Sequence, residues 1–95
     1  MKVLALEIDL PGFTEEDLSP YLKFESIRVV ELFQAGIIRE IYFTADHNAV
    51  IILECKDETE AKHAVDSLPL VKAGLITFEL IQLLPYTGFS RLFQQ

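Results

Sequence analysis

The sequence predicts an α+β fold with the element order βαββαβ. Three observations lead there: four strand-like segments, two segments with apolar residues at helical spacing, and glycine, proline or capping signals at the junctions. From Lys2 to Leu10 the chain alternates, with Leu4, Leu6, Ile8 and Leu10 on one face and Val3, Ala5, Glu7 and Asp9 on the other. Pro11-Gly12 closes this strand, and Thr14 and Asp17 have the spacing of a capping pair for one helical turn through Leu18. Ser19 can then accept from the exposed amides of a first helical turn. Pro20 follows at the position where a missing N–H costs nothing. Leu22, Ser26, Val29, Val30 and Phe33 form the expected core-facing stripe of this first long helix, which ends at Gly36.

Strand two is expected over Ile37–Thr44 and strand three over Ala49–Cys55, both rich in β-branched and aromatic residues. Asp46-His47-Asn48 reads as the turn of a hairpin between them. Asp57 and Glu60 cap a second helix whose Ala61, Ala64, Val65 and Leu68 repeat at i, i+3, i+4 and i+7. Leu68-Pro69-Leu70 stops it, a loop runs through Gly74, and Leu75–Leu84 forms strand four. Order and length match the ferredoxin-like plait, a four-stranded antiparallel sheet with two helices on one face. Ninety-five residues suit a single domain, here with a C-terminal aromatic tail from about residue 85.

Composition narrows the partners. Eight Lys and Arg against fifteen Asp and Glu leave a net charge of −7, a sign that repels phosphate backbones and anionic lipid surfaces. The longest run without a charged side chain, Leu80–Ser90, holds Pro85 and Gly88 and is far short of the ~20 residues that span a bilayer. Glu7 and Asp9 interrupt the apolar N-terminal stretch, unlike a secretory signal, and one cysteine cannot form an internal disulfide. A cytoplasmic protein that binds neither nucleic acid nor membrane is the expectation. Two histidines on different elements and a lone Cys55 give no metal-ligand spacing, so no metal or cofactor is expected and Cys55 is read as core.

Two helices can cover only one face of four strands. Strand three is apolar on both sides, with Ala49, Ile51, Leu53 and Cys55 opposite Val50, Ile52 and Glu54, and the tail adds Tyr86, Phe89, Leu92 and Phe93. A second copy packed sheet to sheet, with the tail at the interface, would cover both. The expected assembly is therefore a homodimeric α+β barrel or a higher homo-oligomer.

Gly36-x-x-Arg39 at the start of strand two, Ala45-x-His47-x-Ala49 around the hairpin, and Leu68-Pro69-Leu70 before the last strand, in that order and spacing, resemble the muconolactone isomerase family. The resemblance covers about the last two thirds of the chain. It implies a ferredoxin-like subunit that assembles through dimers into rings and moves a double bond in a small lactone bearing a carboxylate. Arg39 and His47 align with like residues. Glu40, Tyr42, the stretch Val71-Lys72-Ala73-Gly74 and the tail depart from the pattern, which favours the architecture over the particular substrate.

In such a barrel the face away from the helices lines the cavity. If Leu4, Leu6 and Ile8 face the helices, then Glu7 and Asp9 face the cavity. Strand two turns Glu40, Tyr42 and Thr44 the same way, and Glu54 and Glu79 follow by parity. Glu40 and Glu54 are the candidate general acid and base, and Tyr42 the candidate donor to an enolate oxygen. Arg39 is the candidate clamp for a substrate carboxylate and His47 a second substrate contact with a suitable titration range. The bland alternatives are rim charges for the glutamates, a surface ion pair for Arg39 and an inert turn residue for His47. His63, on the polar side of its helix, receives no role. The functional expectation is proton-transfer isomerisation of a small lactone or carbonyl acid. The rivals are a non-catalytic ligand-binding or assembly module and a cofactor-free oxygenase of the same barrel type.

Overall fold

The computed structural model describes residues 1–94. Strand β1 (Lys2–Asp9) leads through a short turn of helix α1 (Glu15–Leu18) and a 3-10 turn (Ser19–Tyr21) into helix α2 (Leu22–Gln34). Strands β2 (Ile38–Phe43) and β3 (Ala49–Glu54) form a hairpin. Helices α3 (Glu58–Asp66) and α4 (Pro69–Lys72), strand β4 (Ile76–Leu83) and a 3-10 segment (Gly88–Phe93) complete the chain. The strands make one antiparallel sheet in the order β2-β3-β1-β4, with the helices on one face. This is the ferredoxin-like arrangement.

The junctions follow local chemistry. Thr14 N–H donates to the Asp17 carboxylate at 2.7 Å and Glu60 N–H to that of Asp57 at 2.8 Å, which caps α1 and α3. Gly36 and Gly74 each take a φ of +78°, the left-handed turn from helix to strand that a side chain would strain. Past Leu68 the chain forms α4 rather than the expected loop, because Pro69 sits at a first helical position and tolerates a helix that starts there.

The core sets four alanines among larger aliphatic side chains. Val3, Ala5, Ile38, Ala49, Ile51, Leu53 and Cys55 of the sheet pack against Leu32, Ala61, Ala64, Val65 and Leu68 of the helices, all buried. This overturns the expected orientation of β1. Its helix side carries Val3 and Ala5, and the bulkier Leu4, Leu6 and Ile8 lie on the other face. Ala5, Ala49, Ala61 and Ala64 let the α3 backbone approach the sheet closely, and leucines in β1 would hold it off.

Helix α2 is also turned from its expected orientation. Its inward residues are Glu25, Arg28, Val29 and Leu32, because two of them bond to the α3–α4 junction. Glu25 Oε1 accepts from Leu70 N–H at 3.0 Å, and Arg28 Nε donates to Ser67 Oγ at 2.9 Å. The stripe of Leu22, Ser26, Val30 and Phe33 is thereby rotated roughly a quarter turn away from the sheet. Leu22, Val30 and Phe33 stay about half exposed as a result (49%, 52% and 51%).

The C-terminal segment stands apart from this body. The radius of gyration is 15.8 Å, against about 12 Å for a compact chain of this length, and the molecule measures 60 × 26 × 20 Å. Leu84, Tyr86, Phe89, Leu92 and Phe93 are each at least 68% exposed. Residues 84–94 form a projecting arm. No helix among the described residues is long and apolar enough to cross a membrane.

Candidate functional site

The sheet face away from the helices, here the bare face, is organised in transverse rows by the strand registers. Lys2 lies beside Glu54 and Leu83; Leu4 beside Ile52 and Ile81, with Glu40 across from Ile52; and Leu6 beside Val50 and Glu79, with Tyr42 across from Val50. Ile8 and Thr77 form the last row. The centre is aliphatic and the polar groups sit around it.

A bulge in β2 decides which polar groups those are. Ile38 pairs with Leu53 and Glu40 with Ile52, so Arg39 is the extra residue. In a regular strand Ile38 and Glu40 would share a face. The bulge lets Ile38 enter the core while Glu40 and Tyr42 point to the bare face, as the parity of the strand predicted.

Tyr42 Oη donates to Glu40 Oε1 at 2.7 Å. That carboxylate holds the phenol proton and pushes the Tyr42 pKa above its ordinary value, first through the hydrogen bond and second through its charge. Tyr42 is therefore a neutral donor throughout the physiological range. Glu54 lies two residues beyond the partner of Glu40, a diagonal separation on the order of 7–8 Å. Its Oε2 is buried without a hydrogen bond and has the Met1 ammonium at 3.2 Å. Arg39 sits in the bulge at the margin of this group, its Nε donating to the Gly36 carbonyl at 2.8 Å. His47 is not brought to it. The residue closes the hairpin in the left-handed region (φ 62°), and its ring lies 5.8 Å from that of Phe43, which points to the helix side.

Glu7 and Asp9 are a correction. They follow Ala5 on the helix side, so neither faces the bare sheet surface as expected. Glu7 Oε1 accepts from Ala49 N–H at 2.9 Å. Its pKa is pushed up to about 7, chiefly by burial, then by a hydrogen bond with Asp9 and by the charges of Asp9 and Glu25, against the lowering pull of Ala49 N–H. Burial likewise raises the Glu25 carboxyl, opposed by Leu70 N–H. Glu25 lies eighteen residues from Glu7 in sequence, and no local pattern announces that its charge is felt there. Sequence did announce that Glu7 and Asp9, two apart in a strand, share a face.

The remaining cysteine and histidine sit apart from both groups. Cys55 is buried, and burial raises its thiol pKa, which suits a core residue rather than a reactive one. His63 is exposed. Among the described residues no group of three or more His, Cys, Asp or Glu is placed to hold a metal ion.

With this geometry in hand, the chain can be set beside known proteins. No protein-family model and no curated protein matches it in sequence. Its structure is similar to that of 5-chloro-2-hydroxyhydroquinone dehydrochlorinase from Burkholderia phenoliruptrix AC1100, solved in complex with 2,5-dihydroxybenzoquinone. The TM-score is 0.62 at 20% identity, over 87% of this chain and 93% of that one. At that identity the likeness establishes the shared fold, in agreement with the strand order above.

Proposed function

We propose that this chain is a homodimeric α+β barrel of the muconolactone isomerase type that moves a proton on a small lactone or carbonyl acid bound against the bare sheet face. The observation that carries this is the hydrogen-bonded Glu40–Tyr42 pair on an otherwise aliphatic surface. Glu40 takes the proton from the carbon next to the carbonyl, and Tyr42 turns its O–H from Glu40 to the oxygen where negative charge develops. Glu54, diagonal to Glu40, is the second acid–base group: in its protonated form it gives a proton to another carbon, and Glu40 and Glu54 then exchange protons with water to regain their starting states. Arg39, at the margin of the pair, is the contact assigned to the substrate. A second copy over the bare face would exclude water and strengthen each of these interactions. The unpaired Cys55 suits the cytoplasm.

Support comes from the fold shared with an enzyme whose name and bound molecule describe small oxygenated rings. The test is proton NMR in D2O with a panel of small lactones and keto acids, muconolactone included. Protein-dependent exchange of a proton next to a carbonyl, lost in Glu40→Gln and Tyr42→Phe, is the expected result. Exchange that survives both substitutions would remove this pair from the chemistry. The half-exposed apolar stripe on α2 favours a second reading, a non-catalytic binding or assembly module, because it offers a contact surface unrelated to proton transfer. Absence of exchange across the whole panel would select that reading.

A further inference from the structure

Arg91 is the one charged residue in the arm, so the remaining seven bases and fifteen acids give residues 1–83 a formal charge of −8. The bare face shares that sign, with Glu40, Glu54 and Glu79 against Lys2 and the Met1 ammonium, which is paired with Glu54. A substrate carrying a carboxylate would meet repulsion there. Arg39 is drawn to the Gly36 carbonyl at the margin, and Lys2 and the Met1 ammonium lie in or beside the end row with Glu54, so among the described residues none of these cations sits in the central rows that hold Glu40 and Tyr42.

The arm has the composition, reach and order to supply one. The arm's eleven residues, six of them in a 3-10 segment at about 2 Å per residue and the rest extended at about 3.3 Å, reach roughly 28 Å. Four strands spaced by ~4.8 Å make a face about 19 Å wide, which that reach can cross. The arm is also pre-shaped. Tyr86 and Phe89 meet edge to face at 4.8 Å, the Tyr86 ring fills the space a side chain on Gly88 would take, and Ser90 Oγ donates to the Thr87 carbonyl at 2.8 Å. A segment ordered before contact loses less freedom on docking.

Area points to the same occupant. A face of about 19 by 26 Å offers roughly 500 Å² in projection, short of the ~800 Å² per partner typical of stable interfaces. The exposed Leu84, Tyr86, Phe89, Leu92 and Phe93 can make up the difference.

We propose that the arm of each subunit lies across the bare face of a second copy and presents the partner subunit's Arg91 as the carboxylate-binding cation of the Glu40–Tyr42 site. This rests on the dimeric, proton-transfer reading above and adds that each site is built from two chains. Arg91 provides a planar fork for a substrate carboxylate, and the aromatic side chains around it close the site to water.

The first test does not depend on activity. In a Cys55→Ala background, separately tagged Tyr42→Cys and Arg91→Cys chains are mixed and treated with a bis-maleimide of about 10 Å span, a reach chosen to bridge neighbouring side chains. A mixed-tag cross-linked dimer well above the level in either variant alone is expected. Light scattering separates the two ways to fail. A monomeric wild type overturns the dimer itself, whereas a dimer without the mixed cross-link overturns only the arm's placement. The second test is Arg91→Gln in the NMR exchange assay. KM for muconolactone should rise at least tenfold with kcat changed little, γ-butyrolactone, which lacks a carboxylate, should be unaffected, and Arg91→Lys should recover part of the loss. An equal effect on both lactones, or none on muconolactone, would overturn the role given to Arg91.

Discussion

The two faces of this sheet are about equally apolar and have opposite fates. On the helix side Val3, Ala5, Ile38, Ala49, Ile51 and Leu53 are all buried, and the acids there, Glu7 and Glu25, are only partly buried at the margin. On the bare side Leu4, Leu6, Ile8, Val50, Ile52 and Ile81 remain partly or largely in water, interspersed with Glu40, Tyr42, Glu54 and Glu79. Hydrophobicity alone therefore does not distinguish a core from a binding surface. What distinguishes them is side-chain size, which sets how closely a helix can approach, and polar groups, which need a partner or a substrate.

The largest contrast should appear in stability. Leu53→Ala, in the helix-covered core, should cost about 2–5 kcal/mol by urea unfolding. Ile81→Ala, on the bare face, should cost under about 0.5 kcal/mol at concentrations where copies separate, and its effect should grow with protein concentration. Equal losses at all concentrations would mean that the bare face is not covered by a second copy. Next in size is chemistry. Glu40→Gln should lower proton exchange by about a hundred- to ten-thousand-fold without shifting the unfolding midpoint of the monomer.

The third contrast is in pH dependence. Glu7, on the helix side, has its folded pKa raised from 4.5 to about 7, so the folded state binds more protons than the unfolded one between those values. Stability should therefore be greatest below pH 4.5 as far as this group is concerned and fall as pH rises through 7, by about 1 kcal/mol once its half exposure is allowed for. Glu7→Gln should flatten that slope, as read from urea midpoints between pH 5 and 8. The smallest effect belongs to the helical cover. Asp57→Ala removes the acceptor of Glu60 N–H and should cost about 1 kcal/mol, with no change in proton exchange.

The element order was legible in the sequence because it rests on local signals: alternation, caps, and glycines where helices give way to strands. The facing of β1 was not, because it depends on how closely α3 approaches, and that depends on alanines in β1, β3 and α3 together. Rotation of α2 was equally hidden, being set by bonds from Glu25 and Arg28 to residues about forty positions away. At the candidate site, strand parity located Glu40 and Tyr42 correctly because Ile41 between them belongs to the core side. His47 went unplaced because a turn has no parity, and the tuning of Glu7 depends chiefly on its burial by other elements, which strand parity alone does not give.

The measurement that tests the central claim most directly is size-exclusion chromatography with light scattering at micromolar concentration, on the wild type and on Leu6→Asp, which puts a charge in the middle of the bare face. The account predicts a wild-type mass at least twice 10.8 kDa and a well-folded Leu6→Asp variant at the mass of one chain. A wild type that stays at 10.8 kDa across the range would contradict it.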